Sequence, residues 1–216
     1  LLHHPGQHQW YTVEGGSRSY VTRLEAALRR NGIDIRLKSP VQSVRRTAAG
    51  AQVKTWGGEW ETFDEVIFAT HSDDTLKLLD DPSEQEQSVL GAVAYQPNDI
   101  VLHSDETIMP RRRQTWSSWV YTEAADNASE RIDLTYWMNS RREINPDLIW
   151  DQVTLRHPVY DLAALAAQEK AALMNGTNNT WFCGAWMKNG FHEDGLSSAF
   201  DVAQRLLAVP DVLAAE

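Results

Sequence analysis

Cysteine is nearly missing from this 216-residue chain, with Cys183 as its single example. No internal disulfide can form, so a reducing compartment is open to the chain and a cytoplasmic location is expected. Positive charge is scarce as well: 20 Lys and Arg stand against 30 Asp and Glu, a formal net charge of −10. That field repels polyanions, which argues against a general nucleic-acid binder. No apolar run approaches the roughly 20 residues of a membrane helix, so no membrane span is expected. Neither an initiator Met nor a signal peptide marks the opening Leu1-Leu2-His3-His4-Pro5. Hydrophobic residues at 42% and charged residues at 23% place the chain among globular proteins rather than disordered ones. The length suits one large domain or two small ones.

Tryptophan is in excess, with nine copies. His3, His4 and His8 could hold a metal, but no acidic or Cys partner lies nearby, and a solvated segment is the plainer reading. Gly15-Gly16 signals a turn, and Ser17 is placed to cap a helix whose stripe is Tyr20, Val21, Leu24, Ala27 and Leu28. Asn31-Gly32 stops it. Ile33, Ile35 and Leu37 alternate as in a strand, and Val41 and Val44 begin another. Val53 and Trp56 sit on a strand, and Gly57-Gly58 signals a hairpin. The run Val66-Ile67-Phe68-Ala69 suits a strand covered on both faces. Asp73 or Asp74 can cap a short helix ending near Asp81-Pro82. Ser83 and Glu86 have capping-box spacing for another, to about Leu90. Strand-like segments follow at Ile100 and Leu102, at residues 116–121, and at Ile132, Leu134, Tyr136 and Met138. An Ala-rich helix over 160–174 ends at Asn175-Gly176.

The sharpest unit runs from Trp181 to Leu207: an apolar strand, Gly184, a polar loop, then His192-Glu193-Asp194-Gly195 and an amphipathic helix. Gly184 ends the strand where a side chain would block a ligand. Gly195 is expected to open the helix, presenting free N–H groups and a positive dipole end to an anion or a developing negative charge. The N1/O2 edge of a reduced flavin is such a charge.

The strings Trp10-Tyr11-x-Val13-x-Gly15-Gly16-Ser17, Val66-Ile67-Phe68-Ala69-Thr70-His71, Tyr95-x3-Asp99-Ile100-Val101-Leu102-His103-x-Asp105, Met109-Pro110, Trp116-x-x-Trp119, Thr135-Tyr136-Trp137-Met138-Asn139, His157-Pro158-Val159 and Gly190-Phe191-His192-Glu193-Asp194-Gly195 carry a resemblance. From about Trp10 to Leu207 the chain resembles a bacterial family of NAD/FAD-binding, flavin-containing amine oxidase-like proteins, related more distantly to the phytoene and squalene desaturases. The resemblance implies FAD as cofactor. It sets Gly15, Gly16 and Ser17 at the paired-glycine turn beside the cofactor domain and Val41 near the adenine side. It sets Ala69, Thr70 and His71 at the strand end that passes the dinucleotide, and Gly184 and Ala185 near the ribityl chain. Many relatives carry an acidic residue where this chain has Ala185, so a side-chain contact there is not implied. Gly195, Leu196 and Ser198 match the helix start under the flavin.

FAD enzymes of this type open on a strand and a G-x-G-x-x-G turn that holds the pyrophosphate, and no glycine triplet here has that spacing. The chain therefore resembles the C-terminal portion of a longer protein, with an N-terminal nucleotide-binding half as its expected partner and weak or absent FAD retention by the fragment alone. The expected fold is mixed α/β: residues 10–71 and 180–207 form a partial FAD-binding domain, and 72–179 an inserted substrate domain around a mixed or antiparallel sheet. The implied activity is hydride transfer from a C–N or C–C bond of a small-molecule substrate to flavin. No catalytic base is assigned.

Other clusters keep two readings. Trp116, Trp119, Tyr136 and Trp137, with His192, could line an aromatic substrate pocket, or pack as core. His192-Glu193-Asp194 could act in acid–base chemistry, or cap and position a loop. His103, Asp105 and His157 could form a metal-dependent hydrolase site, or serve structural hydrogen bonds. Arg111-Arg112-Arg113 could attract an anionic group, or lie in solvent. Cys183 reads as an inert buried thiol. A cofactor-free structural or binding domain is the alternative to the flavin reading.

Overall fold

The computed structural model describes residues 11, 13–116, 121–122, 133–134 and 143–208. Its backbone divides into two compact units, Leu1–Pro40 and Val41–Glu216.

The first unit holds helix α1, Gly16–Arg30. Gly15 is its N-cap, at φ 80, with no side-chain cap bond. Ser17 therefore lies inside the first turn and is not the cap: the left-handed glycine makes the turn by itself. The helix stops at Asn31-Gly32 as expected, with Asn31 N–H donating to Ala27 O and Gly32 at φ 79. Its apolar stripe is exposed, Tyr20 at 55% and Val21 at 57%. Residues 33–37 do not form the expected strand, because alternation alone makes no ladder without a partner strand, and none pairs with them among the described residues.

The second unit opens with an antiparallel meander of β1 (Val41–Thr47), β2 (Gly50–Thr55) and β3 (Trp60–Phe63). Gly50 is required here: at φ 134, a Cβ would fall 2.2 Å from Phe63 O. Trp56 leaves the strand for the turn and is exposed. Strand β4 (Val66–Phe68) follows, then α2 (Ser72–Leu78) and α3 (Glu84–Leu90). His71, not Asp73 or Asp74, is the N-cap of α2, without a side-chain cap bond. Both aspartates sit in the first turn and turn instead to Arg156 and Lys77. The capping box of α3 forms as its spacing predicts, with Glu86 N–H donating to Ser83 Oγ and Ser83 N–H to Glu86 Oε2. Glu86 also takes a two-pronged ion pair from Arg46 of β1, at 2.8 and 2.9 Å. The two side chains are 5% and 7% exposed, and removing one partner of such a pair costs about 3–5 kcal/mol.

Strands β5 (Ala94–His103) and β8 (Ile149–Val159) pair antiparallel along their length, and the short β6 (Tyr121–Thr122) and β7 (Asp133–Leu134) pair with each other. Helix α4, Leu162–Met174, is capped by Asp161 and ends at Asn175. Strand β9 (Thr180–Phe182) is buried throughout, and α5 runs His192–Ala208.

The core forms where β4 and β9 lie parallel, in register Val66↔Thr180 to Phe68↔Phe182. The rings of Phe68 and Phe182 stack at 6.0 Å. Ala164, Ala167 and Ala171 of α4 are buried in the same cluster, their small side chains admitting the helix close to the sheet. Trp181, Cys183 and Val202 of α5 form a second cluster. Burial pushes the Cys183 thiol up, which keeps it protonated and inert. The outer edge of β9 is closed by the Asn175 carboxamide, which accepts from Phe182 N–H at 2.6 Å and donates to Phe182 O at 3.1 Å. The opposite edge, at β4, carries Ile67 with 47% of its surface exposed, so the apolar run is covered on one face only. No helix among the described residues is long and apolar enough to cross a membrane.

Candidate active site at the strand ends

Parallel strands place ligands outside their carboxyl ends, where the backbone leaves the sheet. Here those ends belong to β4 and β9, which run side by side. Beyond β4 come Ala69, Thr70 and His71; beyond β9 come Cys183, Gly184 and Ala185. Cys183 N–H donates to Phe68 O at 2.9 Å, and Trp186 Nε1–H reaches Thr70 O at 3.1 Å. Five of the sequence-derived residues (Ala69, Thr70, His71, Gly184, Ala185) therefore flank one another. Gly184 stands at φ 143, and a Cβ on it would lie 2.9 Å from the Trp186 ring. The turn keeps bare backbone at the strand end, as close approach of a planar ligand requires.

Helix α5 meets this turn from below. Ser198 is buried, and its Oγ accepts from Gly184 N–H at 2.9 Å and donates to Gly195 O at 2.7 Å. Its hydroxyl joins the strand end to the helix. The helix begins at His192, three residues before Gly195. Gly195 N–H already bonds Phe191 O at 3.2 Å, and Asp194 accepts from Phe191 N–H at 2.9 Å. The early start follows from Asp194, whose carboxylate fits the third helical position and reaches back to the chain ahead. Gly195 is thus not the opening residue with a free N–H. It packs near Ala185, and an added Cβ would meet Ala185 N and Cβ at 3.7 and 3.9 Å, ordinary contact distances. Leu196 points outward and is exposed. Glu193 and Asp194 put two acidic groups in the first turn, which offsets the positive dipole end.

Val41 is the first residue of β1, paired with Thr55 and partly exposed. Gly15, Gly16 and Ser17 belong to the other unit. Trp119, Tyr136 and Trp137, expected in the substrate pocket, lie outside the described residues. Trp116 donates to Pro110 O at 2.8 Å under the Arg113 guanidinium, and His192 is exposed. Arg113 itself pairs with Glu106.

His103, Asp105 and His157 do not converge. His103 sits opposite Ile149 and His157 opposite Gln96, at the two ends of the β5–β8 ladder. Seven residues of strand separate the two positions, about 23 Å at 3.3 Å per residue. Asp105 is consumed by Thr107 and Asn145, and His157 by Asn98. A metal-dependent hydrolase site is not assembled from these three.

Three residues missed in the sequence complete the strand-end site. Tyr95 of β5 stacks on His71 with ring centroids 4.4 Å apart, and its hydroxyl accepts from Ser72 N–H at 2.8 Å. Burial pushes the Tyr95 phenol up, more than the Ser72 bonds pull it down. Arg156 of β8 bonds Asp73 and Asp74 and lies 5.4 Å from the Tyr95 ring centre. Burial alone would raise the Asp73 carboxyl, but the Arg156 and Lys77 bonds outweigh it and hold it low. Tyr160 reaches over Gly190, where a Cβ would come within 2.8 Å of its hydroxyl. Only the hairpin pairing brings these residues to the strand ends, and no local pattern marks them.

The bare backbone at Gly184, the small side chains at Ala69, Ala185 and Gly195, and the carboxyl ends of parallel strands fit the ring and ribityl end of a flavin dinucleotide. Comparison with known proteins agrees on the fold. The chain overlays a CLA-producing fatty acid isomerase from P. acnes with a TM-score of 0.60 at 15% identity, covering 88% of this chain and 52% of that one. A protein from Exiguobacterium sp. 255-15 described as a protoporphyrinogen oxidase gives a TM-score of 0.52 at 15% identity, covering 88% and 51%. The chain thus spans about half the length of these solved structures. No curated protein matches the sequence. The profile of the flavin containing amine oxidoreductases matches residues 3–140, more than half of the chain, and the chain belongs to that family.

Proposed function

We propose that the chain is the C-terminal part of an FAD-dependent oxidoreductase that passes hydride from a C–N or C–C bond of a small molecule to flavin. The observation that carries this is the pair of parallel strand ends with bare backbone at Gly184, in a chain of the flavin containing amine oxidoreductases. Bound there, the flavin supplies the electron sink. The chain's own residues hold and shape its surroundings: Ala69, Thr70, Gly184 and Ala185 offer backbone, and Ser198 keeps the turn on the helix. Val41, His71, Gly195 and Leu196, with Gly15, Gly16 and Ser17, complete the proposed cofactor set. In this reading residues 10–71 and 180–207 form the partial cofactor domain and residues 72–179 the substrate domain. Trp116, Trp119, Tyr136, Trp137 and His192 are the proposed substrate-pocket residues.

The pyrophosphate end falls to a nucleotide-binding half outside these residues. The edges of the β4–β9 pair support this. The ladder uses the peptide groups of Val66 and Phe68, so those of Ile67 face the other edge, where no described strand pairs with them. The β9 edge is closed by Asn175. Among the described residues, the β4 edge is therefore open to a further strand and the β9 edge is not.

The test is the absorbance of the protein carrying both halves. Oxidised-flavin bands in the near ultraviolet and visible are expected, and protein with zinc and no flavin would overturn the reading. Gly195→Trp, which forces the helix away from Ala185, is expected to abolish flavin loading; unchanged flavin content removes the α5 assignment.

A further inference from the structure

We propose that His71 is the proton-carrying residue at these strand ends: its imidazole takes up the proton released as the substrate gives hydride to the flavin. The proposal rests on the flavin reading above and adds a catalytic residue to it.

His71 lies three residues beyond the end of β4, half-buried, at the carboxyl face of the parallel pair. One face of its ring is fixed against Tyr95 at 4.4 Å, the planes 22° apart. Tyr95 is itself anchored, its hydroxyl bonded to both Ser72 N–H and Ser72 Oγ. The imidazole nitrogens, by contrast, make no hydrogen bond among the described residues. Elsewhere the described histidines His103 and His157 spend a ring nitrogen on the protein. A ring held in place by stacking alone keeps both nitrogens for a ligand or a proton.

The charges around it suit a residue that changes protonation. Asp73 and Asp74 offer carboxylate oxygens within 4.8 Å of a His71 nitrogen. Both are already paired, with Arg156 of β8 and Lys77 of α2. Two negative and two positive charges cancel, and the Tyr95 phenol facing the ring is neutral. This pairing engages both oxygens of Asp74 and one of Asp73, while Asp73 Oδ1 stays buried without a hydrogen-bond partner. A proton gained by His71 thus adds one uncompensated positive charge at the strand ends, where a reduced flavin brings one negative charge.

The balance is simple. An amine losing hydride from carbon sends two electrons and one proton to the flavin and becomes an iminium. The N–H proton then moves to a His71 nitrogen, leaving a neutral imine and an imidazolium. For a C–C bond, the second proton comes from the neighbouring carbon. Tyr95 acts through His71 and is a positioning residue.

Two measurements test this without a known substrate. Diethyl pyrocarbonate acylates free, neutral imidazole nitrogens, and peptide mapping locates the label. His71 is expected to label, and saturating FAD to suppress the label at least five-fold; full labelling with FAD bound overturns the proposal. In flavin-loaded protein, dithionite reduction in weak buffer with an indicator dye counts protons taken up. Compared at equal flavin content, His71→Asn is expected to take up about one proton fewer per flavin than wild type. Tyr95→Leu, which removes the stacked ring, should fall towards His71→Asn, and uptake equal to wild type would show that Tyr95 does not position the imidazole. Equal uptake in His71→Asn overturns the proton role and leaves the flavin reading standing. Loss of flavin from His71→Asn alone makes His71 a cofactor holder instead. Wild-type protein without flavin overturns both.

Discussion

Replacing Gly184 by alanine probes the turn on which the whole site depends. The residue stands at φ 143 and ψ 161, a region open in practice only to glycine. Holding a residue with a side chain there costs about 1–3 kcal/mol. The new Cβ would also meet the Trp186 ring at 2.9 and 3.0 Å, closer than real Cβ contacts. Trp186 is buried in the main core and donates to Thr70 O, so its indole cannot swing aside freely. Losing that hydrogen bond adds about 0.5–1.5 kcal/mol. Together the two effects predict a loss of about 2–4 kcal/mol, and at about 2–4 °C per kcal/mol for this size a Tm lower by about 5–15 °C. Urea unfolding followed by tryptophan fluorescence reads it directly, with an unchanged slope against denaturant showing that both states keep their exposed area. A loss below about 0.5 kcal/mol would mean that the turn relaxes without strain, and the case for an enforced bare backbone would fall.

Asn175→Ala should cost more than a surface substitution, because it leaves the buried Phe182 N–H unpaired, worth about 1–3 kcal/mol. Amide exchange at Phe182, fast in the variant and slow in the wild type, checks it; equal protection would show that the carboxamide does not close the β9 edge. Glu86 sets an acid limit. Burial would raise its carboxyl, but the Arg46 fork and the Ser83 bonds outweigh this and hold it below its ordinary value. A group lowered on folding contributes stability above the unfolded value of about 4.3 and loses it as pH falls through the folded one. Urea midpoints should therefore drop below about pH 4.5 in the wild type, with a flatter profile in Glu86→Gln; parallel profiles would sink the assignment.

Much of the local structure was legible from neighbouring residues. Ser83 and Glu86 announced the capping box of α3, and Asn175-Gly176 the end of α4. Gly57-Gly58 joined β2 to β3, and the apolar run at Trp181 became the buried β9. These features are set by bonds between residues a few positions apart, which a linear pattern records. Where two neighbouring residues could each set a helix start, the spacing did not decide between them. Asp194 rather than Gly195 governs the start of α5, and Gly15 rather than Ser17 begins α1.

The sequence by itself determined the class of the chain, its mixed α/β fold, its family and the strand–turn–helix unit at residues 181–207. Only the tertiary structure decided which side chains share the strand ends. It set Tyr95 and Arg156 around His71 through pairing of two strands far apart in sequence, β5 ending at His103 and β8 starting at Ile149, and it drove His103 and His157 to opposite ends of that ladder. It also turned Ser198 inward, to Gly184 and Gly195. The reason lies in the range of the forces involved. Caps and turns are closed by groups close along the chain, whereas strand register and core packing are chosen by residues far apart in sequence, whose pairing no local spacing encodes.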